Sequence, residues 1–288
     1  MSIRASFFMR RAKMKILVKD SIIRTDDTKI LRMVISAPHI AQKAKAGQFV
    51  SLMVCREGER IPLTIVEADK RLGAVTIIFQ EVGLTTKLLG KKAVGESLYA
   101  LTGPLGHPTE IRNYGNVILV GGGVGIAEIY PVGQALKEAG NHITTIIGAR
   151  TKTLLILEKE LKGISAELFI ATDDGSYGQK GFTTDVLKEL LQKSSYGLVY
   201  AVGPIPMMSR VAAVTKQFNI RTIVSLNAIM VDATGMCGCC RVSIGGQIKF
   251  SCVDGPEFDG HTVDWDELTK RNRIYIDKEK HICKLNNL

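Results

Sequence analysis

The run Val117-Ile118-Leu119-Val120 leads without a break into Gly121-Gly122-Gly123-Val124-Gly125 and then into a helical pattern through Ala135-Leu136. Consecutive apolar residues, mostly β-branched, predict a strand buried on both faces, and such strands belong to parallel sheets. Residues without a Cβ then let the chain turn sharply and leave backbone N–H groups bare at a helix start, where the dipole favours a phosphate. A second strand at Ile143-Ile147 completes a βαβ unit. Gly122, Gly123, Val124 and Gly125 are therefore candidates to cradle a dinucleotide. The G-x-G-x-x-G fingerprint is incomplete, because counting from Gly123 puts Glu128 where the last glycine belongs. Pro131 lies too deep to be the first residue of a helix beginning at Val124, so the helix either starts later or is kinked. Taken alone, the glycines also fit a merely tight strand–helix turn.

The alternation continues with a helical segment at Leu154-Leu161, a strand at Glu167-Ala171, a helix at Thr183-Gln192, a strand at Leu198-Val202 and a helix at Pro206-Phe218. This half is predicted to be a doubly wound parallel sheet, whose ligands bind at the loops following the strands. Those loops carry Gly148 and Arg150, then Asp173 and Asp174, then Gly203 and Pro204. No acid follows the second strand to hold a ribose 2′-hydroxyl, so Arg150 leans toward NADP; it reads equally as a solvated loop charge. Upstream, the short runs Ile30-Ile35, Gln48-Cys55, Ile61-Glu67, Ala74-Phe79 and Ser97-Leu101 are separated by turn residues, the pattern of a small antiparallel barrel. The expected division is residues 14–110, 111–225 and 226–288, in keeping with a length of 288.

Cys237, Cys239, Cys240 and Cys252 crowd into the last part, while Cys55 and Cys283 stand alone. That distribution suggests a metal centre in a reducing, cytoplasmic compartment rather than a disulfide framework. Asp232, Cys237, Cys240 and Cys252 are spaced D-x4-C-x2-C-x11-C, which matches the plant-type [2Fe–2S] pattern with aspartate for the first cysteine. A structural zinc held by the same thiolates and a metal-free thiol loop are the competing readings. The net charge of +10 is dispersed, without the aromatic-interleaved basic stretches of single-strand binders, so it favours anionic nucleotides or an acidic redox partner over nucleic acid. No apolar run approaches membrane-spanning length, and the N-terminal MSIRASFFMRRAKMK lacks the apolar core of a signal peptide. The tail after Asp264 reads as a helix capped by that aspartate, with Glu267 placed to complete the cap.

The order of barrel, Gly121-Gly125 turn, Tyr200-Met208 segment, cysteine loop and Cys252-Asp259 segment resembles the ferredoxin-reductase-like electron-transfer subunits associated with dihydroorotate dehydrogenase B. The resemblance spans about Lys15 to Val263. Asp232, in the place of a cysteine, is similar to the bifurcating members of that group, the small subunits of NADH-dependent ferredoxin:NADP oxidoreductases, also known as sulfide dehydrogenase β subunits. The resemblance implies FAD on the barrel. Its R-P-x-[ST] segment falls on Arg60-Ile61-Pro62-Leu63-Thr64, with Arg60 facing pyrophosphate and Leu63 and Thr64 near the ribityl and ring edge. A second flavin segment falls on Ile78-Phe79-Gln80, and a phosphate turn on Thr85-Thr86, without the usual glycine. The nicotinamide-side segment falls on Gly203, Pro204 and Met207, with Val202 for the family's cysteine. The cofactors implied are FAD, a [2Fe–2S] cluster and NAD(H). The partner implied is a larger subunit with a second flavin and [4Fe–4S] clusters, and through it ferredoxin. Electron-transfer subunits of dihydroorotate dehydrogenase, of a glutamate-synthase-like complex or of a sulfide-oxidising complex are alternatives, as is a non-catalytic zinc protein on the same fold. The chemistry requires no side-chain acid or base, so none is assigned.

Overall fold

The computed structural model describes residues 14–285; most of the basic N-terminal stretch lies outside them. The first unit comprises β1 (Ile16–Arg24), β2 (Lys29–Ser36), α1 (Pro38–Lys43), β3 (Phe49–Met53), β4 (Arg60–Thr64), β5 (Glu67–Asp69), β6 (Ala74–Gln80), α2 (Leu84–Lys91) and β7 (Ala100–Leu105). Its strands form two antiparallel sheets, ordered β1-β2-β6-β5 and β4-β3-β7. They close on one apolar core that takes Leu31, Met33 and Ile35 from β2, Val50 and Leu52 from β3, and Val75, Ile77 and Phe79 from β6. The run expected as one strand, Ile61-Glu67, is split between the two sheets. Ile65 and Val66, at 3% and 4% exposure, plunge into the interior between β4 and β5, so the chain changes sheet there. β1 was not among the expected runs, because Lys19 and Asp20 interrupt its apolar pattern on the exposed side.

The second unit begins with β8 (Asn116–Gly122), a short 3-10 turn at Gly123–Gly125 and α3 (Ile126–Glu138). It continues through β9 (His142–Ala149), α4 (Glu158–Ile164), β10 (Glu167–Thr172), β11 (Gln179–Lys180), α5 (Thr183–Lys193), β12 (Leu198–Val202), α6 (Ile205–Gln217) and β13 (Thr222–Ser225). These strands are parallel, in the order β11-β10-β9-β8-β12-β13. Alternate residues of β8 serve opposite faces: Val117 and Leu119 pack with α3 and α4, Ile118 and Val120 with α5 and α6. All four are fully buried, and truncating such a leucine to alanine costs about 2–5 kcal/mol. Helix α3 starts at Ile126 and carries Pro131 inside it, so the glycine turn is longer than a helix beginning at Val124 would leave.

After Val224 the sequence pattern predicts only a loop, yet the chain forms the hairpin β14 (Arg241–Ile244) and β15 (Gln247–Phe250) and then β16 (Glu257–Asp259). β16 adds antiparallel to β13 at the edge of the large sheet. The cysteine-rich segment packs Ala228, Met230, Ala233, Cys240, Val242 and Cys252 into the same core as α5 and α6. α7 (Trp265–Arg271) starts where expected, with the Asp264 carboxylate accepting from the Glu267 N–H at 2.9 Å. It packs on β14 and α6, and α8 (Ile276–Leu285) lies against α2 of the barrel.

Candidate functional site

The sheet order places a topological switch point between β8 and β12, since the chain runs outward from β8 through β9 and β10 and then returns to start again at β12. Open α/β sheets form their ligand crevice beyond the carboxyl ends of such strands. Here those ends are Gly121-Gly122 and Val202-Gly203, which pair directly across the ladder at Val202 and Gly121. At Gly125 glycine is required by contact, since a Cβ would lie 2.7 Å from the Val202 carbonyl oxygen; at Gly122 a Cβ would have to displace the Met207 side chain. Gly123 also holds a left-handed φ of +56°, which turns the chain into the helix and exposes the amides ahead of α3.

Two cavities meet at this turn. One, of about 430 Å³, lies between barrel and sheet and is lined by Phe49, Pro62, Leu63, Thr64, Ile78, Phe79, Gln80, Thr86, the glycine turn, Glu128, Ser225 and Asn227. The other, of about 500 Å³, lies over the nucleotide unit and is lined by Thr28, Gly148, Arg150, Asp173, Phe182, Thr183, Met207 and Arg210. Both volumes fall in the range of cofactor clefts, roughly 300–1,000 Å³. Gln80, Gly122, Gly123, Val124 and Pro204 belong to both walls, so two ligands bound here would meet at one place. The first cavity offers an apolar slot for a flat ring with few polar groups. The second offers the cations Arg150 and Arg210 beside the bare glycine turn, a donor set that suits phosphates.

Most sequence-predicted residues line these walls: Pro62, Leu63, Thr64, Ile78, Phe79, Gln80, Thr86, Gly125 and Gly203 in the first, Gly148, Arg150, Asp173 and Met207 in the second. Arg60, Thr85 and Asp174 lie outside both linings. Arg60 is half-buried at the outer end of β4, and the Thr85 hydroxyl donates to Glu59 at 3.1 Å. Asp174 accepts from both the N–H and the hydroxyl of Ser176, which is turn chemistry. Thr86 accepts from the N–H groups of Val82 and Gly83, each at 3.0 Å, and so shapes the start of α2 at the cavity edge. Thr28, Phe182, Arg210 and the segment 225–227 were not singled out by sequence. They join the walls only through long-range packing, which local pattern does not carry.

Glu128 had a signal, as the residue that breaks the glycine fingerprint. Its carboxyl accepts from the Thr64 hydroxyl at 3.1 Å and from Ser225, and burial pushes its proton affinity up. Glu257 faces it from β16 and is pushed up to about 7, first by burial and also by the charge of Glu128. Glu257 accepts from the hydroxyls of Thr109 at 2.5 Å and Tyr200 at 2.7 Å.

The cysteine loop brings the buried Cys240 and Cys252 to an Sγ–Sγ distance of 3.2 Å. Cys237 is exposed at its lip and Asp232 is half-buried there. Backbone N–H groups are aimed at sulfur: Cys239 to Cys237 Sγ and Cys252 to Cys240 Sγ, both at 3.5 Å. Burial and the adjacent Cys240 push the Cys252 thiol up to about 12. A thiol so placed ionises when a cation takes the proton's position. Among the described residues no three Cys, His, Asp or Glu side chains converge on a point that one ion could fill. A two-iron cluster divides its ligands between two metals, and the paired buried thiols, the lip residues and the sulfur-directed amides fit that division. Asp232 is turned to its own loop, accepting from the Thr234 N–H at 2.7 Å. Cys239 is half-buried between Cys237 and Cys240, and its carbonyl accepts from Arg271 at 2.8 Å.

A barrel with a flavin-shaped slot, a parallel sheet with its nucleotide crevice at the switch point and a cysteine loop packed on that sheet together define a ferredoxin-reductase-like oxidoreductase subunit that binds FAD, NAD and an iron–sulfur cluster. Residues 119–213 match the oxidoreductase NAD-binding domain, and residues 227–264 match the iron–sulfur cluster binding domain of dihydroorotate dehydrogenase B. The chain belongs to the family of electron-transfer subunits of dihydroorotate dehydrogenase B. It is 50% identical over 246 residues to the electron transfer subunit homolog of Thermotoga maritima, covering 85% of this chain and 87% of that protein. Identity to the electron transfer subunit of Geobacillus thermodenitrificans is 34% over 236 residues, covering 78% and 89%. A solved chain from the NADH-dependent reduced ferredoxin-NADP oxidoreductase, a structure described for flavin-based electron bifurcation, is 47% identical with a TM-score of 0.88, covering 93% of this chain and 96% of that one. Among the described residues no helix is long and apolar enough to cross a membrane.

Proposed function

We propose that this chain exchanges hydride between NAD(H) and FAD and passes electrons singly, through a [2Fe–2S] cluster, to or from a larger subunit with its own flavin and [4Fe–4S] clusters. In this reading ferredoxin is reached through that complex, as in electron-bifurcating ferredoxin:NADP oxidoreductases, and the complex works in the cytoplasm. Residues 14–110 serve as the flavin unit, 111–225 as the nucleotide unit and 226–288 as the cluster unit and tail. The observation that supports this most is the shared wall at Gly122-Val124 and Pro204, which lets flavin and nicotinamide meet while their other ends occupy separate cavities.

When bound, FAD takes two electrons as hydride and gives them up one at a time. The residues of this chain supply place and orientation. Pro62, Leu63 and Phe79 enclose the ring side of the first cavity, and Thr64 and Gln80 offer it polar atoms. Arg60, at the far end of the same strand, neutralises pyrophosphate, with Thr85 and Thr86 at the neighbouring turn. Gly122, Gly123 and Gly125 let the nucleotide phosphates approach the backbone, with Gly148, Arg150, Asp173 and Asp174 along its adenosine side. Gly203, Pro204 and Met207 form the floor where the two ligands meet, excluding water by close packing on Gly122. Asp232, Cys237, Cys240 and Cys252 hold the cluster.

A second reading, supported by the names of the relatives, gives the chain a dihydroorotate dehydrogenase as its partner. One experiment tests the common part: anaerobically purified protein is assayed for FAD, iron, sulfide and zinc, with absorption spectra before and after NADH. About one FAD with about two irons and two sulfides per chain, bleached by NADH, is expected. A colourless chain holding zinc, unchanged by reconstitution with FAD and iron–sulfur, overturns it. Co-purification with the native partner then decides between the two readings.

A further inference from the structure

Hydride from NADH carries two electrons and one proton, and an iron–sulfur centre accepts the electrons alone. For every hydride that passes through the chain, one proton must therefore leave the flavin cavity, and in the reverse direction one must enter. Among the residues lining that cavity, Glu128 is the one ionisable side chain; the rest are apolar residues, glycines, Thr64, Gln80, Thr86, Ser225 and Asn227. This inference rests on the flavin and cluster reading given above.

We infer that Glu128 is the proton-carrying residue of the flavin cavity, exchanging its proton with the bound flavin through the Thr64 hydroxyl and passing it on toward Glu257. The geometry is a short relay. Thr64 lies in the segment that lines the cavity and donates to Glu128 Oε2 at 3.1 Å, so its hydroxyl can accept on one side while it donates on the other. Glu128 also bonds Ser225. Ser225 is the ladder partner of Glu257 across β13 and β16. Glu257 in turn holds the hydroxyls of Tyr200 and Thr109, at the rear of the cavity where barrel, sheet and cluster unit come together. The groups that face Glu128 from the elements around it are the neutral hydroxyls of Thr64, Ser225 and Tyr200 and the carboxyl of Glu257. Among the described residues neither carboxyl forms an ion pair. With no cation beside them, burial favours the protonated form of each, and the charge of Glu128 disfavours ionisation of Glu257, so the pair carries one charge more readily than two and Glu128 can pass between carboxylate and carboxyl. In the NADH-oxidising direction the balance is one proton from the reduced flavin to the Glu128 carboxylate and two electrons passed one at a time through the cluster to the partner subunit. In the other direction the Glu128 carboxyl returns that proton.

The test uses the full-length, FAD- and cluster-loaded protein in the complex with its native partner, which takes the electrons from the cluster. Reduced-minus-oxidised infrared difference spectra of the unaltered chain are expected to show a carboxylic C=O band that shifts in D2O and vanishes in E128Q. In stopped-flow measurements, E128Q is expected to lower the ratio of the rate of flavin re-oxidation through the cluster to that of flavin reduction by NADH by about tenfold or more. It should also flatten the pH dependence of re-oxidation, and E128D should restore part of both effects. Absence of any deuterium-sensitive carboxylic band in the unaltered protein overturns the inference whether or not the variant binds FAD. So does a band that persists in E128Q, or an unchanged rate ratio. A protein that holds FAD and iron and is bleached by NADH yet shows these negatives sinks the role of Glu128 alone; a protein without FAD or iron sinks the reading beneath it.

Discussion

Cys252 and Cys239 are close in sequence to the same loop and differ in what surrounds them. Cys252 is buried with its sulfur 3.2 Å from that of Cys240 and with its own N–H directed at that partner. Cys239 is only half-buried, its N–H is directed at Cys237 Sγ and its backbone carbonyl is tied to Arg271. The proposed ligand role of Cys252 rests on burial beside a second thiol, which Cys239 lacks. Cys252→Ser or Cys240→Ser is therefore expected to lower iron content roughly tenfold or more while FAD is retained, and Cys239→Ser to leave iron near its starting value. Iron and flavin assays on the purified variants check this; equal loss in all three would show that the loop is sensitive to any substitution rather than built around particular thiols. Asp232 answers to a different readout. Oxygen is a harder donor than sulfur and favours the ferric state, so Asp232→Cys is expected to raise the cluster's midpoint potential in a spectroelectrochemical titration. An unchanged potential and an unchanged electron paramagnetic resonance signal would mean that the carboxylate does not bind iron.

The turn between β8 and α3 shows what a local pattern can convey. Its continuous apolar strand, its glycines and the helix that follows are all written in consecutive residues, and they predict both the element types and the phosphate-facing edge. β16 is the opposite case. Glu257-Phe258-Asp259 has no periodicity of its own and becomes a strand only because β13 presents an open edge to it. For the same reason the cavity walls were half visible. Pro62-Thr64 and Ile78-Gln80 could be placed through a family resemblance, whereas Arg210, Phe182 and Asn227 arrive from distant elements. Glu128 stood out as a broken fingerprint, but nothing in one dimension shows that Thr64, 64 residues earlier, supplies its hydrogen bond. The turn also yields a prediction. Gly125→Ala would place a methyl 2.7 Å from the Val202 carbonyl oxygen and 3.0 Å from the Gly203 Cα, forcing the ends of β8 and β12 apart. Overpacking of this kind costs about 1–3 kcal/mol. Nucleotide affinity is expected to weaken by about tenfold or more, measured as the Kd for NADH by flavin quenching. A Gly163→Ala change, where no atom lies within 4 Å of the added methyl, serves as the control.

Glu257 joins all parts of the molecule, because its partners come from the segment after β7, from the centre of the large sheet at Tyr200 and, through Glu128 and Thr64, from the barrel. Folding brings this carboxyl out of water without a compensating cation, so its proton affinity rises from an ordinary 4.5 to about 7. The native chain then binds more protons than the unfolded chain between those two values. Stability from this group is fully present below about pH 4.5 and is lost as pH rises through about 7, the reverse of the usual effect of a salt-bridged carboxylate. Glu128 is shifted in the same direction, by burial, and adds to the same slope. Thermal midpoints of the FAD-loaded chain are expected to fall between about pH 5 and about pH 8, with a smaller fall in Glu257→Gln and the smallest in the Glu128→Gln, Glu257→Gln double variant. If ionisation of Glu257 were instead relieved by movement of the cluster unit away from the sheet, the loss of protection on raising pH would be confined in hydrogen exchange to β13 and β16. A uniform loss across β8, β12 and the barrel would show that the three parts unfold as one body, with the buried carboxyl acting as a common hinge of their stability.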